Sequence, residues 1–159
     1  MVAVAQIGQI ALDDVDTTNE ILSPKKIDTS MNDVAASLQS HSPFKMWAGV
    51  ATPNFAKAWR TAAFNQTLVN EAQISCALEC YYLKYGQYPD HLETLVPEFL
   101  KTIPHDVING WPLQYRREAG EKYLLYSVGW NEKNDGGVES PPTKAGSIDY
   151  TNGDWVWPN

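Results

Sequence analysis

The chain has 159 residues, of which 43% are hydrophobic, and its formal net charge is −7. This length and apolar content fit one packed domain, with or without an appendage, and exclude wholesale disorder. The negative charge argues against non-specific attraction to nucleic acid, so we expect no nucleic-acid partner. The sequence also contains no apolar run of the ~18–20 residues that cross a bilayer.

The first third of the chain differs in character from the remainder. We interpret residues 1–52 as an N-terminal arm or connector that docks on a globular domain formed by residues 53–159. Within the arm, Thr29 to Leu38 predicts a short helix, because its apolar residues fall on one face and either Ser30 or Asn32 can cap it.

A long helix is predicted over residues 55–85. Asn54 is a suitable N-cap, and neither proline nor glycine occurs between it and Gly86, a natural helix stop that Pro89 follows. The apolar residues of this segment recur at the helical period and form a stripe so wide that more than one side of the helix should be buried.

Three polar side chains on this helix need separate interpretations. Glu79 falls in the apolar stripe, so we expect either a structural ion pair with Arg116 or Arg117 or a position at the edge that reaches solvent. Cys76 and Cys80, spaced i, i+4, point the same way, and an internal disulfide between them would strain the helix. Since no His or further Cys completes a zinc site, we predict two reduced, half-buried thiols.

The second half of the chain predicts a short helix and three strands. Asp90 to Leu100 is a short helical segment interrupted at Pro97. Leu113 to Arg117 and Tyr123 to Val128 alternate as strands and predict a β-hairpin, and Trp155 to Trp157 predicts a third strand. The expected fold class is therefore α+β, with a long N-terminal helix packed on a small antiparallel sheet of three or four strands.

A loop of about 25 residues, Gly129 to Asp154, separates the second and third strands, and loops of this length are usually functional or tied down. It is rich in Asp, Asn and Gly. Carboxylate and amide oxygens together with flexible glycines suit calcium, which takes ~6–8 oxygen ligands. The same composition also occurs in loops that are merely solvated, so composition leaves both interpretations open.

Several short motifs of this region resemble a known family. Residues 77–89 carry an Ala-Leu pair, a Tyr, a Leu, a Gly and a closing Tyr-Pro at offsets that resemble the end of the pseudopilin helix. Tyr126 to Gly129 resembles the family's Tyr-Ser-Leu-Gly, and the run into the first strand resembles the family at Pro104, Asp106, Gly110, Pro112 and Tyr115. From about Leu68 to its end, the chain thus resembles the globular domain of a type II secretion major pseudopilin or a type IV pilin-like protein.

This resemblance implies a pseudopilin-like fold and a non-catalytic structural or interaction domain of the cell envelope, with protein partners there. The strand region also resembles the C-terminal domain of larger bacterial membrane-anchored proteins that contain a pilin-like unit. We therefore expect an extracytoplasmic domain that reaches the membrane through a missing upstream segment. The hydrophobic assembly helix of pseudopilins has no counterpart before Phe64, so polymerisation is not implied.

The resemblance also implies a set of calcium ligands in the loop. Val128 falls at the position of a backbone-carbonyl ligand, and Asn131 stands where the family has a ligand Asp. Asp149, or alternatively Asp154, falls at the closing Asp, and Asp135 is close enough to contribute. The neutral side chain of Asn131 lowers the charge of the set, which weakens the expected affinity.

An alternative function is an envelope binding module that uses exposed aromatic rings to hold a carbohydrate or a peptide. Its ligand-binding residues would be Trp130 and Trp155, with Trp111 and Trp157 beside them. The competing interpretation is that these rings cap the small core of a thin sheet.

Acid–base chemistry has only two conspicuous candidates, His91 and the pair His105-Asp106. No nucleophile-elbow motif, phosphate-binding glycine loop or metal-ligating histidine spacing accompanies them. We therefore predict that the chain is not an enzyme.

Overall fold

The computed structural model describes residues 15–38, 55–139 and 149–158. Over these ranges the chain is α+β, with two helices and two small antiparallel sheets. The N-cap predicted at Asn54 lies outside the described residues.

The smaller sheet lies in the arm and consists of β1 (Val15–Asp16) and β2 (Ile21–Leu22), paired antiparallel. Asp16 stabilises the turn between them, because its carboxylate accepts hydrogen bonds from the backbone N–H groups of Thr18 and Asn19 at 3.1 and 3.0 Å. Such a side-chain-to-backbone turn is a common role of aspartate.

Helix α1 spans Pro24–Leu38 and begins earlier than the sequence predicts. Proline is favoured at the first helical position, because it needs no N–H partner there and its backbone angle already suits the helix. The N–H of Ile27 then donates to the carbonyl of Ser23 at 3.1 Å. The predicted start at Thr29 and the predicted caps, Ser30 and Asn32, are therefore wrong.

Helix α2 spans Phe55–Tyr85, 31 residues, which confirms the predicted long helix. It ends at Gly86, which adopts a left-handed φ of 72° and donates its N–H to the carbonyl of Tyr82 at 2.7 Å. Of the segment predicted as a short helix after it, only Leu92–Leu95 is helical, as a single 3₁₀ turn. None of the described helices is both long and apolar enough to span a bilayer.

The larger sheet has three antiparallel strands in the order β3 (Gln114–Glu118), β4 (Lys122–Ser127) and β5 (Trp155–Val156). Strands β3 and β4 form the predicted hairpin, with a register that runs from Gln114 opposite Tyr126 to Glu118 opposite Lys122. The third predicted strand is confirmed as β5, which pairs with the end of β4.

The core consists of two apolar clusters along α2. The hairpin cluster contains residues from the second half of α2, the 3₁₀ turn and the hairpin: Ile74, Ala77, Leu78, Tyr88, Leu92, Leu95, Leu113, Tyr123 and Leu125. The arm cluster joins the arm to the first half of α2 and to the strand ends: Leu22, Ile27, Ala63, Val107, Ile108, Val128, Trp130 and Trp155. The N–H of Leu22 also donates to the carbonyl of Val107 at 2.7 Å, so the described part of the arm packs into the core of the domain.

Candidate functional site

A buried layer of polar side chains separates the two apolar clusters. On the inward face of α2, Ala63 belongs to the arm cluster and Ile74 to the hairpin cluster. Between them, about one helical turn apart, lie Thr67 and Glu71, both buried. Asp106 and Ser127, which are also buried, complete this polar layer from the facing segments.

Glu71 is the most unusual member of the polar layer, because its side chain is 0% exposed. Among the described residues, neither of its carboxylate oxygens has a hydrogen-bond partner within normal geometry. Burial raises the pKa of Glu71 to about 9, the negative charge of Asp106 adds to the rise, and the backbone N–H of Ser127 opposes it less strongly. Glu71 is therefore a neutral carboxylic acid at pH 7.

Periodicity places Glu79 within the apolar stripe of this helix. In the structure, Glu79 lies at an exposed edge. Its carboxylate accepts a hydrogen bond from the Tyr88 hydroxyl at 2.8 Å. The ion pair expected with an arginine does not form, because Arg116 pairs with Glu118 and Arg117 with Asp90. The alternative expectation, an edge position that reaches solvent, is confirmed.

Asp106 connects the turn before β3 to the end of β4. Its two carboxylate oxygens accept the backbone N–H groups of Ile108 at 2.9 Å and Val128 at 3.2 Å. Burial is the main cause that raises the pKa of Asp106, and these N–H groups act against it. No hydrogen bond joins this carboxylate to the His105 ring in the described part of the chain.

The loop after β4 is held by Asp154, whose side chain is buried. Its carboxylate accepts the backbone N–H groups of Asp135 at 3.2 Å and Gly137 at 2.6 Å. Its own N–H donates to the carbonyl of Val138 at 2.9 Å. A single aspartate thus joins the beginning of the loop to its end, and charged acceptors make such bonds stronger than neutral ones.

Four of the five residues predicted as calcium ligands fall into two groups. Asn131 donates its amide to the Asp135 carboxylate at 2.9 Å, and the N–H of Asp135 donates to Asp154, so these three lie together. Asp149 instead closes a separate turn, where it accepts hydrogen bonds from Thr151 and Asn152 that lower its pKa.

The fifth predicted ligand, Val128, is buried at the end of β4. Its N–H donates to Asp106, which fixes the backbone where the loop begins. Over the three described ranges, no three His, Cys, Asp or Glu side chains are arranged to hold a metal ion.

Comparisons with known proteins were made for the whole chain. No protein-family model matches it, and searches of curated proteins and of solved structures find no match either.

The tryptophans proposed as a binding surface are buried, since Trp130 and Trp155 are each 4% exposed and belong to the arm cluster. The Trp130 indole N–H donates to the Asp28 carboxylate at 3.0 Å, and the Arg60 guanidinium lies 5.3 Å from its ring centre. Arg60 also pairs with Asp28 at 2.8 Å. For these two rings the interpretation in which they cap the core is confirmed, and the alternative in which they form an exposed binding surface is wrong, because both pack in the arm cluster.

Trp111 does present its ring to solvent, with 67% of its surface exposed. It lies in a shallow groove beside His91, Leu92 and Tyr115. The backbone N–H of Trp111 donates to the side-chain oxygen of Asn109 at 2.8 Å, which holds the turn before β3. Of the tryptophans in the described ranges, this one retains the geometry of an aromatic contact surface.

The two cysteines lie on the outer face of α2, and both are free and exposed. Predicting them as half-buried was wrong, because both lie on the face of the helix that points to solvent. On the same outer face lie Val69 and Leu83, which is 83% exposed.

Proposed function

We propose that this chain is a non-catalytic, pilin- or pseudopilin-like structural or interaction domain of the cell envelope. In this proposal, α2 packed on the three-stranded sheet is the pseudopilin-like unit, and the arm is an additional part that completes the core. Protein partners in the envelope and attachment to the membrane through an upstream segment belong to the same proposal.

The residues that carry the resemblance have architectural roles, which supports the proposal. Tyr88 packs in the hairpin cluster and bonds Glu79. Tyr115 donates its hydroxyl to the carbonyl of Pro89 at 2.7 Å and so joins β3 to the segment after α2. Asp106 joins the turn before β3 to β4. These side chains hold elements together, as expected in a structural domain.

The single observation that carries the proposal is that Asp154 is buried and holds backbone N–H groups of the loop. A long acidic loop could expose its carboxylates to a substrate, but this buried one accepts two backbone N–H groups and shapes the loop. The part of the loop fixed in this way, residues 135–138 and Asp154, offers a defined surface to a protein partner.

The localisation can be tested with the whole gene product in its own host. Spheroplasts are treated with an external protease and probed with an antibody raised against this chain. We expect the antigen to be digested without lysis, together with a known envelope protein, while a cytoplasmic marker stays intact. An antigen that is protected until the cells are lysed would contradict the envelope proposal.

A calcium ion held by the loop is part of the same proposal. Carboxylate, amide and carbonyl oxygens are the donors that calcium prefers, and Asn131, Asp135 and Asp154 lie together and carry the first two kinds. In the proposal, the Val128 carbonyl and Asp149 complete the set. When bound, the ion would neutralise the carboxylates and order the loop.

Calcium should raise the thermal unfolding midpoint, because a ligand that binds only the folded state stabilises it. Asn131→Asp should enlarge this increase and Asp135→Asn should reduce it, since the charge of the ligand set changes in opposite directions. Gln87→Glu adds the same charge as Asn131→Asp at an exposed position outside the loop. If calcium leaves the midpoint of the chain and of Asn131→Asp unchanged, the ion is not part of the function.

The exposure of Trp111 favours a second candidate function, the envelope binding module. An amphipathic ring in an open groove can stack on a sugar face or an extended peptide. An array of envelope glycans and peptides tests this candidate directly. Binding that is lost in Trp111→Ala but kept in Leu83→Ala, which also removes an exposed apolar side chain, would favour it over the structural role.

A further inference from the structure

Cys76 and Cys80 stand one helical turn apart on α2, and both thiols are free and exposed. Residues spaced i, i+4 on a helix place their Cβ atoms ~5–6 Å apart on the same face. A disulfide needs ~3.5–4.5 Å between Cβ atoms, so α2 would have to distort before the two sulfurs could join. The intact helix therefore presents a pair of thiols to solvent.

The charged side chains nearest to this pair are already engaged. Glu79, between the two cysteines, directs its carboxylate to the Tyr88 hydroxyl. Lys84, one turn beyond Cys80, is bound by Glu98. On the outer face itself, the neighbours of the pair are Gln73 and Leu83. The pair is thus a sulfur-only donor set with no carboxylate directed at it among the described residues.

We propose that Cys76 and Cys80 form a two-thiolate site for a soft monovalent metal ion of the Cu(I) class. Thiolates select soft ions, whereas calcium and magnesium prefer oxygen. Such an ion accepts two sulfur ligands, so the pair needs no third protein ligand. Two metal–sulfur bonds form as two S–H bonds break, both protons pass to the solvent, and no electron is transferred.

The test presents Cu(I) to the whole reduced chain without oxygen, in competition with a chromophoric Cu(I) chelator. We expect one copper per chain. Cys76→Ser and Cys80→Ser should each weaken binding by about 100-fold, because a single thiol loses the advantage of two linked ligands. Equal thermal midpoints without copper show that these exposed substitutions leave the fold intact.

A matched control keeps two thiols on the same helix face but separates them. Cys80→Ser combined with Leu83→Cys retains Cys76 and places the second thiol ~10.5 Å further along the helix, too far for one ion to bridge. Its binding should fall to the level of the single variants. Binding as tight as that of the unchanged chain would show that thiol count, not spacing, is responsible, and would overturn the proposal.

The size of the copper-loaded protein in solution provides a second criterion. The proposed site lies within one chain, so the loaded protein should elute at the same volume as the metal-free protein. One copper bound per two chains, with a matching increase in size, would overturn it. This inference does not rest on the proposed envelope role, and either can fail alone.

Discussion

The carboxyl groups of Glu71 and Asp106 lie in one buried polar layer, where the charge of Asp106 helps to raise the pKa of Glu71. The two acids differ in their partners. Asp106 is held by two backbone N–H groups, whereas the Glu71 oxygens have no partner of normal geometry in the described ranges. The layer therefore contains one carboxyl group held by two backbone N–H groups and one neutral acid.

Glu71 should make stability fall as pH rises. Its pKa is raised from 4.5 to about 9, so above pH 4.5 the unfolded chain releases a proton that the folded chain keeps. The contribution of protonated Glu71 to the free energy of unfolding is fully present below pH 4.5. This contribution is lost progressively as the pH rises to about 9. By pH 7 the loss is about 3 kcal/mol.

Glu71→Gln should remove this dependence, so the difference in unfolding free energy between variant and parent should grow between pH 5 and pH 8.5. Urea unfolding at several pH values measures it. Glu79→Gln makes the same replacement of a carboxyl group by an amide at an exposed position and should keep the slope of the parent. Parallel curves for Glu71→Gln and the parent would show that Glu71 is not a buried neutral acid.

Replacing Asp154 by Ala should release the loop after β4. The change removes two hydrogen bonds from backbone N–H groups to a buried carboxylate, which predicts a loss of about 3 kcal/mol. The amide protons of Asp135 and Gly137 should also exchange faster with solvent. Asp149→Ala, which opens only a local turn, is the comparison, and an equal loss in both variants would refute the special role of Asp154.

Ile27→Ala tests whether the arm is part of the core. The Ile27 side chain is fully buried in the arm cluster, so its truncation should cost about 3 kcal/mol in one cooperative unfolding transition. Lys26→Ala, at an exposed neighbour, should have little effect. If Ile27→Ala leaves the main transition unchanged, the arm unfolds separately from the domain.

Two glycines with similar backbone angles should respond differently to Ala. Gly129 has a φ of 67°, and a Cβ there would lie 2.5 Å from the carbonyl oxygen of Gly153. Gly86 has a φ of 72° and open space around it. Gly86→Ala should cost about 1 kcal/mol from the backbone angle alone, and Gly129→Ala clearly more because the backbone must shift. Equal unfolding free energies for the two variants would contradict the close approach at Gly129.

Local signals were sufficient to predict α2 and the hairpin. The absence of proline and glycine before Gly86 marks the helix, and the alternation from Tyr123 onwards marks β4. These signals depend on neighbours along the chain, which a sequence displays directly.

The inward face of α2 could not be predicted with the same certainty. The helix carries apolar residues on more than one side, so periodicity did not show that Glu71 rather than Glu79 points inward. The burial of Trp130 depends on Asp28, which is 102 positions away in the sequence. No local pattern predicts a contact of that separation, so the sequence left open whether the rings cap the core or face solvent.

The polar layer also determines where α2 can sit along its neighbours. If the helix slid by one turn, ~5.4 Å, the buried Glu71 would enter one of the apolar clusters and lose its place beside Asp106 and Ser127. Apolar side chains tolerate such a slip more readily, because their contacts are non-directional. The misplaced carboxyl group would make every shifted alignment of α2 unfavourable. Glu71 therefore lowers stability at neutral pH and at the same time selects a single register for the helix.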